Sequence, residues 1–139
     1  MIPFLNLQKL NEPYEAALKT KFSEVLKSGW YILGADVTSF ENAYASYCGT
    51  SYCIGTANGM DALKIILEGY KLLGILKNGD HVLVASNAYI ATILAIQHAG
   101  LTPILVEVDS VTFNFDMGDL QAKVSSRVRV IVPTHLYIK

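Results

Sequence analysis

Charge is what this sequence has least of. Lys, Arg, Asp and Glu make up 17% of its 139 residues, against about 25% in an average soluble domain. The 11 basic and 12 acidic side chains leave a net charge of −1. Neither sign clusters, so a nucleic acid is not an expected partner. Mean hydropathy is correspondingly high, +0.34, which means an unusually apolar surface or one covered by something else. Residues 82–106 contain no Lys, Arg, Asp or Glu at all, a length that raises the question of a membrane span. Asn87, Gln97, His98, Gly100 and Pro103 interrupt the stretch and its ends read as strands, so no span is expected. Cysteine is nearly missing. Cys48 and Cys53 have neither metal-site nor redox-motif spacing; they read as thiols of a reducing cytoplasm, and no metal is expected. The opening MIPFLNLQKLNEP lacks the basic start and long apolar centre of a signal peptide. A chain of this length has room for one real core and no second domain.

What is present falls into two parts. In residues 1–50, Tyr14, Leu18, Phe22, Val25 and Leu26 make a helical stripe that Gly29 closes, and Val37, Phe40, Tyr44 and Tyr47 make another that ends near Gly49. Between them lies GWYILG, residues 29–34, readable either as a connector tucked into the core or as a site or interface segment. In residues 51–139 the rhythm changes. Strand-like runs at 52–56, 81–85, 103–107 and 128–133 alternate with helix-like runs near 60–73, 89–99 and 116–123. Lys77–Asp80 and Gly100–Pro103 read as the turns that feed two of the strands. That alternation is the pattern of an α/β fold, a mainly parallel sheet with helices on both faces.

Ligands of such sheets bind beyond the carboxyl ends of the strands. Those ends carry Thr56-Ala57-Asn58-Gly59, Ser86-Asn87-Ala88-Tyr89, Asp109 and Thr134-His135, polar groups and one aromatic on a single edge. The segment GTANGMDALKIIL at 55–67 reads as strand end, tight turn and helix start. A helix start aims free N–H groups and the positive end of the helix dipole at one spot, which suits a phosphate; Asn58-Gly59 equally suits a plain bend. The dinucleotide fingerprint GxGxxG is absent. His135 at a strand end reads as hydrogen-bonded structure or as a proton-transfer group, and His81 and His98 receive no role.

NGMDAL at 58–63, NGD at 78–80, SNAYIAT at 86–92, AG-x-x-P at 99–103 and HLY at 135–137 occur in order, and GWYILG makes a sixth motif. Together they cover nearly the whole chain. In this combination the sequence resembles the N-terminal part of the pyridoxal-phosphate-dependent sugar aminotransferases of the DegT–StrS type. Within them it is most similar to the branch that aminates the ketone of dTDP-linked 3-keto-6-deoxyhexoses. The resemblance implies the N-terminal part of the type-I aminotransferase large domain, pyridoxal phosphate as cofactor, and a cytoplasmic homodimer. It implies a nucleotide-linked keto-deoxysugar as substrate and glutamate as amino donor, in polysaccharide or glycan biosynthesis. The turn at Gly59 would then hold the cofactor phosphate through the N–H groups of Met60 and Asp61, without the hydroxyl that many relatives add at the Met60 position. A positive φ at Gly59 would make a Cβ costly there. Tyr89 would lie on the pyridine ring as an aromatic plate, with Tyr31, Asn58, Asn87 and His135 as further site-lining residues. Residues 52–56 would lie at the far side of the sheet, beside strands formed later in the family's sequence.

Three elements of the family's chemistry have no counterpart here: the Schiff-base lysine, the carboxylate facing the pyridine nitrogen, and the small C-terminal domain. In the family they follow HLYG, whereas this sequence reads HLYIK and stops, with Ile138 at the glycine position. Lys139 is wrongly placed for the Schiff base, and Glu107 and Asp109 lie earlier than the family's carboxylate. The expectation is a truncated reading frame or an artificially set chain limit, and the altered last two residues favour a frameshift. The alternatives are a non-catalytic remnant, or a dehydratase of the same family with histidine in place of the lysine.

Overall fold

The computed structural model describes residues 3–136, so Met1, Ile2 and the Tyr137-Ile138-Lys139 end of the last motif lie outside the described residues. The chain forms two compact units divided between Gly55 and Thr56.

The first unit is helical. Asn6 caps the short α1, Leu7–Asn11, by accepting the Lys9 N–H at 3.0 Å. A turn at Glu12–Tyr14 leads into α2, Glu15–Ser28, and α3 spans Ala35–Cys48. Both long helices stop where the sequence predicts, at glycines in the left-handed conformation (Gly29 and Gly49, each with φ 68°). Lys21 binds Asp36 at 2.6 Å, tying α2 to the first turn of α3. The apolar stripes, however, face outward: Tyr14, Leu18, Phe22, Leu26, Phe40, Tyr44 and Tyr47 are all exposed. So is the whole of Trp30–Leu33, which overturns the reading of GWYILG as a buried connector. Its shape is held locally, by Trp30 Nε1 donating to the Ile32 carbonyl at 2.7 Å and the Tyr31 hydroxyl to that of Leu26 at 3.1 Å.

The predicted strand at 52–56 does not form. Among the described residues no strand pairs with it, and strand propensity is realised only beside a partner. Instead the Gly55 N–H donates to the Glu41 carboxylate at 2.6 Å.

The second unit is the α/β part. After α4, Gly59–Leu72, come β1 (His81–Ala85), α5 (Ile90–His98), β2 (Thr102–Val106), α6 (Met117–Lys123) and β3 (Val128–Val132). The strands form a parallel sheet in the order β2-β1-β3. Against the sequence reading, β2 is shifted by one residue, β3 ends one residue earlier and β1 coincides. Pro103 sits within β2, which among the described residues has only β1 beside it and can therefore accommodate a residue without an N–H. Central β1 is the heart of the core, with Val82, Leu83 and Val84 fully buried. Val82 and Val84 pack with Leu67 of α4, Ile96 of α5, Ala99 just after it, and Leu76 and Leu101. Between β1 and β3 the register slips: His81 pairs with Val128 but Val82 with Val130, so Arg129 is an extra, bulged residue.

Asp116 caps α6 by accepting the Asp119 N–H at 2.8 Å, and Asp119 in turn accepts from Lys123 Nζ and from the Glu107 N–H, each at 2.7 Å. The Lys123 bond, with the Glu107 N–H second, holds the Asp119 carboxyl below its ordinary value. A depressed folded-state value stabilises the fold above the unfolded value, and the contribution is lost as pH falls through the folded value. Asp119→Asn is therefore expected to lower the urea midpoint at neutral pH and to leave it unchanged in strong acid. A loss of equal size at both pH values would contradict this role.

Candidate functional site

A parallel sheet brings the carboxyl ends of all three strands to one edge. Ser86–Tyr89 follows β1, the 107–116 loop follows β2, and Pro133–Leu136 follows β3. Helix α4 points its N-terminus to that same end. At its other end Lys71 Nζ donates to the Ala99 carbonyl at 2.9 Å, just before β2 begins. Along its length Leu63, Ile66 and Tyr70 share a small apolar cavity with Thr92 and Ile96 of α5 and Val132 at the end of β3.

The N-terminus of α4 is built by Asn58. Its backbone is extended (φ −164°, ψ 172°) and its Oδ1 accepts the Asp61 N–H at 2.9 Å. Asn58 Nδ2 donates to the Asp61 carboxylate at 2.9 Å, and Thr56 Oγ1 donates to the Asn58 carbonyl at 3.2 Å. The Ala62 N–H takes up that same carbonyl at 3.1 Å, the first bond of the helix. Asp61, expected to offer its N–H to a ligand, thus already spends it on the cap. The N–H groups of Gly59 and Met60 have no partner among the described residues. Gly59 is helical rather than left-handed, and a Cβ there would meet nothing within 4 Å. The conditional expectation of backbone strain at Gly59 therefore fails; the glycine leaves open space in front of two free donors. Two unpaired N–H groups at the positive end of a 14-residue helix, beside space with no side chain in it, suit a phosphate.

Tyr89 is the residue before α5, with φ −59° and ψ 138°. The residue is 77% exposed, so its side chain is open to a planar ligand. Asn87 is half-buried, and its Nδ2 donates to the Phe113 carbonyl at 3.1 Å, fastening the turn after β1 to the loop after β2. Asn87 Oδ1 is buried without a partner among the described residues. The loop it holds was missed from sequence. Phe113 adopts φ 58°, and Asp109 Oδ1 gathers the N–H groups of Val111 and Thr112 and the Thr112 hydroxyl. Asp followed by Thr three residues on is a readable signal for such a turn. His135 is exposed at the same edge. Tyr31 belongs to the helical unit, where its hydroxyl is bound to the Leu26 carbonyl.

Comparison with known proteins adds four findings. The profile that describes the DegT/DnrJ/EryC1/StrS aminotransferase family matches residues 14–138. A curated relative, the dTDP-3-amino-3,6-dideoxy-alpha-D-galactopyranose transaminase of Aneurinibacillus thermoaerophilus, is 50% identical over 137 residues, covering 99% of this chain and 37% of the relative. Among solved structures, S. venezuelae DesV in complex with a ketimine intermediate superposes with a TM-score of 0.85 at 38% identity, covering 98% of this chain and 36% of that one. The E. coli GDP-4-keto-6-deoxy-D-mannose-3-dehydratase with bound hydrated PLP gives a TM-score of 0.72 at 25% identity, over 80% of this chain and 29% of that one. The chain thus spans little more than a third of the length of these relatives.

Proposed function

Because the chain belongs to the DegT/DnrJ/EryC1/StrS aminotransferase family, we propose that it is the part of a sugar aminotransferase that binds the phosphate of pyridoxal phosphate. In this reading the complete enzyme moves an amino group from glutamate to a nucleotide-linked keto-deoxysugar. The pair of free N–H groups at Gly59 and Met60, on the same sheet edge as the exposed ring of Tyr89, carries the proposal. When bound, the cofactor supplies an electron-accepting ring conjugated to the amino-transfer centre. This chain's residues do the holding. Gly59 and Met60 bind the phosphate through the main chain, since Met60 has no hydroxyl to add. Tyr89 fixes the plane of the ring, and Asn58 keeps the first turn of α4 formed. The lysine and the carboxylate that complete the chemistry, and the small domain that closes the substrate side, belong to family sequence that follows HLY.

The transaminase relative, at 50% identity, favours a dTDP-linked 3-keto-6-deoxyhexose as substrate. The solved dehydratase shares half that identity, which favours transamination over dehydration. The exposed aromatic and aliphatic side chains of the helical unit support a homodimer. The test is a full-length enzyme carrying this segment, mixed with pyridoxal phosphate. An absorbance band at the visible edge, abolished by borohydride and mapped to a lysine, together with amino transfer from glutamate to the keto-sugar, is the expected result. Absence of the band would leave the non-catalytic remnant or the dehydratase, which has no lysine to form it, and loss of a hydroxyl from the keto-sugar would distinguish the dehydratase.

Tyr89 gives a finer test in the same enzyme. Tyr89→Ala is expected to weaken cofactor binding by about 1 kcal/mol, the scale of one aromatic stacking contact. Tyr89→Phe is expected to bind as the parent does. Equal losses in both variants would show that the hydroxyl, and not the face of the ring, is what matters.

A further inference from the structure

The amino edge of the sheet, opposite the candidate cofactor edge, carries a second concavity that the proposed function does not use. It has a volume of about 550 Å³ and is lined by Lys77, Asn78, Asp80, Ser126, Arg127 and Arg129 among others. Sites for small molecules commonly fall in that size range. Strands of five residues set this edge about 16 Å from the carboxyl edge, so the two sites cannot share a small ligand.

Three of those side chains are cationic and one is acidic, and the acid is already committed. Asp80 is buried, and its Oδ2 accepts the Lys77 N–H at 2.9 Å as part of the turn into β1. Arg127 is held across the cavity by donating from Nη2 to the Gly79 carbonyl at 3.3 Å, leaving the rest of its guanidinium fork free. Arg129 has no hydrogen bond or ion pair among the described residues. It is also the extra residue of the bulge between His81 and Val82. Bulges are rare in parallel pairs, and they re-aim a side chain at the cost of a ladder position. A strand distorted so as to set an unpaired arginine beside a second arginine and a lysine is a cradle for a multiply charged anion. Guanidinium forks match phosphate oxygens in pairs.

We propose that this amino-edge cavity binds a small molecule through a di- or triphosphate group, held by Arg127, Arg129 and Lys77, with Asn78 and Ser126 as neutral donors at its rim. Three cationic side chains spread around a cavity of about 550 Å³ can engage the oxygens of two or more phosphate groups at once. Bound there, the ligand would bridge the turn before β1 to the start of β3 and so clamp two strands of the sheet at the end away from the cofactor.

The test is calorimetric titration of a full-length enzyme carrying this segment, saturated with pyridoxal phosphate, at low ionic strength. Pyrophosphate, tripolyphosphate and a nucleoside diphosphate are the probes. A saturable site is expected that Arg129→Gln weakens at least tenfold and added salt weakens, separate from the nucleotide-sugar site, whose binding Arg129→Gln leaves unchanged, with the cofactor absorbance unchanged throughout. Tighter binding of the nucleoside diphosphate than of pyrophosphate would assign the site to nucleotides; equal binding would assign it to the phosphate chain alone. The absence of any polyphosphate-binding site that Arg129→Gln weakens would overturn the proposal.

Discussion

Expressed by itself, the chain of 139 residues is expected to self-associate instead of behaving as a stable monomer. Each of its two units leaves a large surface exposed. Much of it is apolar: Leu18, Phe22, Trp30, Ile32 and Tyr47 in the helical unit, and Ile65, Leu72 and Leu73 on α4 and just after it, are exposed. Beside them β3 has only β1 as a neighbour and leaves its other edge unpaired among the described residues, the usual template for unwanted strand pairing. A domain is stable by only about 5–15 kcal/mol, so association that covers such surface outweighs the monomer. Light scattering, near-ultraviolet circular dichroism and thermal unfolding together decide the matter. Large or dye-binding species are expected; a monodisperse monomer with a sharp transition would contradict the prediction.

Gly59→Pro is expected to separate folding from cofactor binding. Proline is favoured at the first position of a helix, because its missing N–H has no partner there and its φ is already helical. The residue before it must be extended, and Asn58 is (φ −164°, ψ 172°). The substitution should therefore leave stability unchanged or raise it by about 0.4–1 kcal/mol. It also removes one of the two free donors and fills the space before the other. A hydrogen bond to a charged group contributes about 1.5–3 kcal/mol, so pyridoxal phosphate should bind roughly 10- to 150-fold more weakly. Full affinity in a folded Gly59→Pro enzyme would remove Gly59 from the phosphate site. Asn58→Ala is the control in the other direction: losing the cap should cost about 1 kcal/mol of stability.

The sequence made some of this legible because the signals were local. Gly29 and Gly49 announced the ends of α2 and α3, and the apolar run of β1 sat between the Asn78-Gly79-Asp80 turn and the polar Ser86-Asn87. Hydrophobic periodicity in α4 located both the helix and its starting turn, and the order of six motifs pointed to the family. What was not legible depended on partners. Residues 52–56 have the composition of a strand, but composition does not supply a neighbour to pair with. The stripes of α2 and α3 have helical spacing, yet spacing alone does not say whether the face meets a core or solvent. At the site, Asn58 could be read as a turn former, but its capture of the Asp61 N–H is a three-dimensional fact that moves the free donors to Gly59 and Met60. The Asn87–Phe113 bond joins residues 26 positions apart, and no local pattern announces it.

The central claim is that the N-terminus of α4 receives the cofactor phosphate. A crystal structure of a full-length enzyme carrying this segment, with pyridoxal phosphate bound, tests it most directly. The expected result places phosphate oxygens within about 2.7–3.2 Å of the Gly59 and Met60 nitrogens, with the Asp61 nitrogen still on Asn58 Oδ1 and the pyridine ring against the face of Tyr89. A phosphate held elsewhere, with Gly59 and Met60 facing only solvent, would contradict the account.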